Sequence, residues 1–221
     1  MKRKISALAA VLLAIGLTAC GNNNSQVSAD ATQNMQIESS VETENTNNTE
    51  EAEQTVTTES SEEDGGTLVV YFSVTGNTKS VAEKIASVTG ADIYEIKAAL
   101  EYTDEDINYN DSDSRTSKEQ NDSSARPEIG SEEISLDGYS TIYIGYPIWW
   151  GEEPRIMDTF VESYNFDGIT VIPFCTSGSS GIGRSGQNLA DNAGSGNWIE
   201  GKRFGGGASE DEIRSWIEGL Q

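Results

Sequence analysis

The order Ser73-Val74-Thr75-Gly76-Asn77-Thr78 sets three hydroxyls and a glycine directly behind the apolar run Leu68-Val69-Val70-Tyr71-Phe72. The run reads as a buried strand and the periodicity after Asn77 as a helix, so these residues fall at a strand-to-helix junction. Backbone N–H groups at a helix N-terminus lack partners and the helix dipole favours negative charge, which makes an anion site. Ser73, Thr75 and Thr78 add neutral donors, Gly76 lets the backbone approach closely, and Lys79 is the one nearby cation. Thr78 stands where a P-loop needs its glycine before lysine, so triphosphate binding of that kind is excluded. Neutral donors suit a single phosphate monoester, although a plain capped helix start uses the same residue types.

Two further segments have chemistry of their own. Pro147-Ile148-Trp149-Trp150-Gly151 follows the apolar run TIYIGY, and strand alternation cannot bury both adjacent tryptophans. Indole faces stack on flat conjugated rings, and Gly151 permits a local backbone turn. Thr176-Ser177-Gly178-Ser179-Ser180-Gly181 follows the apolar run ITVIPFC. It leads into Gly181-x-Gly183-x-x-Gly186, but that dinucleotide fingerprint needs its first glycine at the strand end, and five residues intervene after Cys175. A loop of small residues that meets a ring edge through backbone N–H groups accounts for it better.

The elements must bring these three loops together. Strand patterns cover 67–73, 91–97, 141–146, 169–175 and 197–204, alternating with helical patterns, as in a parallel sheet covered by helices. The third and fourth are nearly continuous apolar runs, as for strands buried on both faces. Val81, Ile85 and Val88 keep one side of the first helix, which Gly90 ends. Pro154 starts another, with Met157, Phe160, Val161 and Tyr164 as its stripe. Ser209 and Glu212 form a capping box ahead of Ile213, Trp216, Ile217 and Leu220, and a weaker helix covers 183–192. Residues 100–133 show no sustained period, and a segment of that length frames a site or moves. Loops after strands one, three and four of a parallel sheet share its carboxyl edge, where ligands bind. A phosphate loop beside a site for an aromatic plane and a polar ring edge points to FMN.

Outside this domain, residues 1–19 read as a secretory leader: Lys2, Arg3 and Lys4, then an apolar stretch too short to span a bilayer. It closes on Leu17-Thr18-Ala19-Cys20, which resembles a bacterial lipobox and implies lipidation of Cys20. Residues 21–64 hold eleven acids, no Lys or Arg and no aromatic residue, a composition that cannot offset ordering entropy and reads as a disordered tether. The expected organisation is therefore leader 1–19, lipidated tether 20–64 and folded domain 65–221. The protein would sit outside the cytoplasm, held to the cell membrane by lipid alone.

Setting aside the three leader cations and the eleven tether acids leaves the domain 11 basic and 26 acidic side chains, net −15. Such a charge disfavours nucleic acid and suits partners with basic docking surfaces. It also lowers electron affinity: an electron added about 10 Å from a carboxylate costs roughly 1.7 kcal/mol at an effective dielectric of 20. Cys175 has no second domain cysteine to pair with, and the chain has no histidine, which excludes Ser-His-Asp and Cys-His catalysis. Redox chemistry here falls to a cofactor.

Taken together, SVTGNT at 73–78, YPIWWG at 146–151 and CTSGSSG at 175–181 resemble the phosphate loop and the two ring-binding loops of the flavodoxin family. The resemblance covers 67–220. It implies an α/β, doubly wound, five-stranded parallel sheet ordered 2-1-3-4-5, with helices on both faces. It also implies FMN held by Ser73, Thr75, Gly76, Asn77 and Thr78 at the phosphate. Pro147, Ile148, Trp149, Trp150 and Gly151, with Thr176, Ser177, Gly178, Ser179 and Gly181, would surround the ring. The second ring loop lacks the aromatic residue many flavodoxins place on the outer face, and either Trp149 or Trp150 could stack. An electron carrier is the first expectation, with no catalytic side chain. Pro147-x-Trp149-Trp150 followed by Pro154 also resembles FMN-dependent NAD(P)H:quinone reductases, and a flavodoxin-fold binding module without flavin is the third alternative.

Overall fold

A computed structural model describes residues 65–220 of the chain. The leader, Cys20 and the acidic tether expected from the sequence lie outside the described residues. Strands β1 (Gly66–Phe72), β2 (Asp92–Ile96), β3 (Tyr139–Pro147) and β4 (Thr170–Thr176) run parallel in the order β2-β1-β3-β4. Two short strands, β5 (Asn197–Trp198) and β6 (Lys202–Phe204), complete the sheet, and both pair in parallel with β4. The path β2-β1-β3-β4-β5 is the doubly wound order expected from the sequence.

Strand alternation divides the core in two. Leu68, Val70 and Phe72 of β1 join Ile142, Ile144 and Tyr146 of β3 on one face, under α3 (Arg155–Glu162) and α4 (Ser185–Ala193). Val69 and Tyr71 face the other way with Tyr143 and Phe174, under α1 (Asn77–Thr89) and α5 (Glu210–Glu218). Every one of these strand residues is buried, which explains the unbroken apolar runs. Helix ends follow local chemistry: Gly90 closes α1 at φ +70°, and the Ser209 hydroxyl accepts the Glu212 N–H at 3.2 Å to start α5.

Two expectations need correction. The single strand expected over 197–204 is broken into β5 and β6, because Pro173 lies in the middle of β4. The carbonyls of Ile169 and Val171 accept from Asn197 and Ile199, so alternate residues of β4 face this edge. Pro173 is next in that series and has no N–H to donate, and the ladder breaks there. In addition, 100–133 is not without regular structure, since α2 (Arg115–Asn121) forms within it. Its Ser114 cap hydroxyl accepts the Ser117 N–H, while Thr116 and Ser117 bind back to the carbonyls of Asp106 and Asp111. These local side-chain bonds, in place of an apolar stripe, are why periodicity missed it.

Gly145 of β3 shows how tightly the sheet packs. A Cβ there would overlap the ring of Phe174, which is wholly buried beside it. Gly145→Ala should cost about 1–3 kcal/mol in urea unfolding, and adding Phe174→Leu should recover part of the loss.

Candidate functional site

The three loops singled out in the sequence converge at the carboxyl edge of β1, β3 and β4. After β1, Gly76 takes φ +83° and caps α1 without any side-chain hydrogen bond. No acid occupies the first turn of α1, so the dipole's positive end and its first N–H groups face the loop unmatched. Asn77 Nδ2 donates to Thr75 Oγ1 at 3.0 Å and fixes the loop's exposed side. Thr78 is buried, and its hydroxyl lies 2.7 Å from that of Thr176 at the end of β4. Only one of these hydroxyls can donate to the other, which leaves the acceptor's own proton free for a ligand.

Loop two is a tight turn. Trp149 and Glu152 exchange backbone bonds at 3.0 Å in both directions, with Trp150 at φ +49° and Gly151 at φ +90° between them. Positive φ at both central positions defines a type I′ turn, which Asn and Gly fill best. Trp150 is the one non-glycine residue with positive φ among the described residues, a cost on the order of 1–2 kcal/mol. Trp149 points inward and is 3% exposed, with its ring meeting Phe72 and Tyr102 edge-on at 5.6 and 5.3 Å. Trp150 points outward, 42% exposed, against Tyr109 at 4.6 Å.

Loop three is pinned from β6. Arg203 donates to the carbonyls of Ser177 and Gly178 at 2.5 and 2.8 Å and to the Ser177 hydroxyl at 3.1 Å. Ser177 also donates to the Ser180 carbonyl, and the Ile148 N–H donates to the Thr176 carbonyl at 2.9 Å, joining loops two and three.

Between them lies a cavity of about 360 Å³, within the range of small-molecule sites. Its first wall comprises Ser73, Val74, Thr75, Asn77 and Thr78, its second Pro147, Ile148 and Trp149, and its third Thr176, Ser177 and Gly178. Gly76, Trp150, Gly151, Ser179 and Gly181 do not line it. Ile107 and Tyr109 complete the enclosure from the segment before α2, and Gly206 from the turn after β6. The sequence offered a signal for Tyr109 only in hindsight: an aromatic residue amid Asp, Asn and Ser, in a segment long enough to frame a site. Cys175, fully buried in the core next to Thr176 in β4, has its thiol pushed up to about 12 by burial and is not a nucleophile at neutral pH.

A buried charge cluster supports the tryptophan turn from behind. Gln120 of α2 donates through Nε2 to the carbonyls of Trp149 and Glu153 at 3.2 and 3.1 Å, gripping the turn at both ends. Arg155 alone faces three carboxylates: Glu152 at 2.8 Å, Asp158 at 3.4 Å and Glu153 at 3.6 Å. Glu153 and Asp158 are each 1% exposed, with Asn188 and Asn192 of α4 donating to them. Burial, aided by the charge of Asp158, pushes Glu153 up to about 7, against the pull of Asn188 and Arg155. An acid raised in the folded state stabilises most below its unfolded value of 4.5, and that contribution is lost as pH climbs to about 7. Glu153→Gln should abolish this dependence. Measured by urea unfolding, its stability relative to the parent should rise by about 3 kcal/mol between pH 4.5 and 7, then level off.

Comparison with known proteins places this geometry. A sequence model described as flavodoxin matches residues 66–220. No match was found among curated protein sequences. Among solved structures, a candidate flavoprotein from Bacteroides uniformis is 46% identical with a TM-score of 0.67, covering 70% of this chain and 98% of its own. One from Bacteroides eggerthii is 42% identical with a TM-score of 0.66, covering 71% and 98%. A flavoprotein from Lactobacillus acidophilus NCFM, solved in complex with FMN, is 25% identical with a TM-score of 0.51, covering 69% and 99%. With sheet order, loop convergence and sequence match in agreement over the described domain, the chain belongs to the flavodoxin family.

Proposed function

We propose that this domain holds FMN without a covalent bond and works as an electron carrier, lipid-anchored through Cys20 on the outer face of a bacterial cytoplasmic membrane. The observation that carries the reading is one cavity in which an uncapped, acid-free helix N-terminus meets an aromatic wall. The donor set fits the group. The first N–H groups of α1 with the hydroxyls of Ser73, Thr75 and Thr78 and the amide of Asn77 suit a phosphate that arrives with its own charge. Ile148 and Trp149 give an apolar flank for a flat ring, and the backbone of 176–178 gives a polar edge. The FMN complex of the Lactobacillus relative and the leader and lipobox of the sequence support the same reading.

Bound FMN supplies reversible uptake of one or two electrons, and the chain's own residues do the rest. Gly76 turns the backbone at the helix start that would hold the phosphate, and Thr176 keeps Thr78 in place through their shared bond. Trp149, braced by Phe72 and Tyr102, forms a rigid wall, with Gly151 completing the turn that presents it. Arg203 binds the Ser177 and Gly178 carbonyls, so the N–H groups of that loop would be the ones to meet the ring edge. Ile107 and Tyr109 restrict water at the mouth.

The test uses the purified full-length protein with added FMN and stepwise anaerobic reduction. Retained yellow colour and reduction in two resolved one-electron steps would support the carrier. Direct two-electron bleaching, with NAD(P)H oxidised in the presence of a quinone, would move the assignment to a quinone reductase. Absence of binding would leave a flavin-free binding module. Thr75→Ala with Thr78→Ala should weaken FMN affinity about 100-fold or more, through two lost bonds to a charged group. Riboflavin affinity should fall far less than FMN affinity, because riboflavin lacks the phosphate that both hydroxyls would hold.

A further inference from the structure

We propose that Glu153 is a positioning residue for the cavity: its neutral carboxyl keeps the tryptophan turn closed, and its ionisation loosens that turn. The switch depends only on the turn and the charges behind it; that the moving wall meets a flavin rests on the function proposed above.

Charge balance is the first observation. Arg155, Glu153 and Asp158 are all buried, so their charges have little solvent to share. With every carboxylate around Arg155 ionised, three negative charges face one positive, and a single proton removes half of the excess. Distances say where that proton belongs. Glu152 is nearest to Arg155, at 2.8 Å, and its side chain is 49% exposed. Asp158 follows at 3.4 Å and accepts from Asn192 at 2.9 Å. Glu153 is farthest, at 3.6 Å, and the Asn188 amide spans both its oxygens at 3.1 and 3.2 Å. Its charge is the least compensated of the three, and burial raises it accordingly. The other neighbours do not redress this. Arg126 is taken by Glu162 at 2.6 Å, Asp191 of α4 adds a further negative charge, and the Tyr146 hydroxyl of β3 is bonded to Ser185 at 2.9 Å.

The second observation is that the same guanidinium holds the turn. Arg155 Nη2 donates to the Glu152 carboxylate at 2.8 Å and to the Gln120 carbonyl at 3.2 Å. Glu152 closes the turn through its backbone bonds with Trp149, and Gln120 clamps the Trp149 carbonyl. Arg155 Nε has no partner among the described residues, so one edge of the guanidinium is uncommitted. An ionised Glu153 draws that group toward itself and away from Glu152 and Gln120. Trp150 at φ +49° makes the turn costly, so restraint from behind decides whether it stays closed. A cavity of about 290 Å³ lies against the cluster, lined in part by Arg126, Glu153, Arg155 and Asn188, and gives water room to exchange the proton.

The sign follows from the raised acid. Below about 7 Glu153 is neutral and the turn is closed; as pH rises through that value the charge appears and the turn loosens. The chain has no histidine, so no imidazole titrates over the same range.

The test follows the indole N–H signals of the four tryptophans by NMR in the full-length protein, across about pH 5.5–8.5. Trp149 and Trp150 should shift together with a midpoint near 7, while Trp198 and Trp216, packed on Phe166 and Phe204, should not. Glu153→Gln should hold both signals at their low-pH positions throughout. Asp158→Asn should move the midpoint down, because the Asp158 charge helps to raise Glu153. Riboflavin is the ligand for the second measurement, since it lacks a phosphate that titrates near 6. With binding confined to the closed turn, its affinity should fall about tenfold between pH 6 and 8, as the neutral fraction drops from about 0.9 to about 0.1. In Glu153→Gln it should stay within about twofold over the same range. Indole signals that stay fixed in the parent, or that move equally in Glu153→Gln, would overturn the proposal. So would riboflavin binding indifferent to pH, since the turn would then move without its wall. Titrating indoles in a protein that binds no flavin would sink the cavity reading and leave the switch standing.

Discussion

A strand buried on both faces has no exposed side on which to hold a ligand. Because β1, β3 and β4 are covered on both faces and run in one direction, any chemistry they position must sit at their carboxyl ends, and all three ends meet at one edge. The bond between the Thr78 and Thr176 hydroxyls makes that convergence rigid, since it joins the helix start after β1 to the end of β4 across the width of β3. Through Thr176 the link reaches Ile148, whose N–H donates to the Thr176 carbonyl, so that all three loops share one short chain of hydrogen bonds.

The segment before β3 completes what the sheet cannot. Parallel strands give a floor and three loops, but nothing to close the outer side. Residues 100–121 do so by folding on local polar contacts: Arg115 lies 3.9 Å over the Tyr102 ring and bonds Glu119 at 2.7 Å, while Tyr102 supports Trp149. The tryptophan turn is thus held between a polar clamp, Gln120 and the Arg155 cluster, and an aromatic wedge. One guanidinium among three carboxylates is an uneasy arrangement, and it places the site's least settled charge directly behind its most strained turn.

Much of this was legible in the residues. Continuous apolar runs and helical stripes carry the alternation of strands and helices, the family resemblance implies the sheet order, and the phosphate-type loop is recognisable because strand end, glycine and hydroxyls fall together within six residues. What stayed hidden depends on contacts distant in sequence. Adjacent tryptophans announce that one must be exposed, but only the packing of Phe72 and Tyr102 decides that Trp149 is the buried one. Tyr109 and Gln120 lie in a segment whose order comes from side-chain-to-backbone bonds, which leave no period to read. Pro173 was a visible warning against one continuous neighbouring strand, and its consequence depended on which edge its nitrogen faces.

That gap has a further consequence for how the domain breathes. β6 is joined to the sheet through three residue pairs and is separated from β5 by the unbonded stretch beside Pro173. Local opening is cheapest where ladder bonds are fewest, at the two residue pairs of β5, while the wholly buried Phe204 anchors β6 against Trp216 of α5. Arg203, the residue that fixes loop three, rides on β6. The cavity wall that loop three forms is therefore tied to the core beneath α5 rather than to the more sparsely paired strand β5.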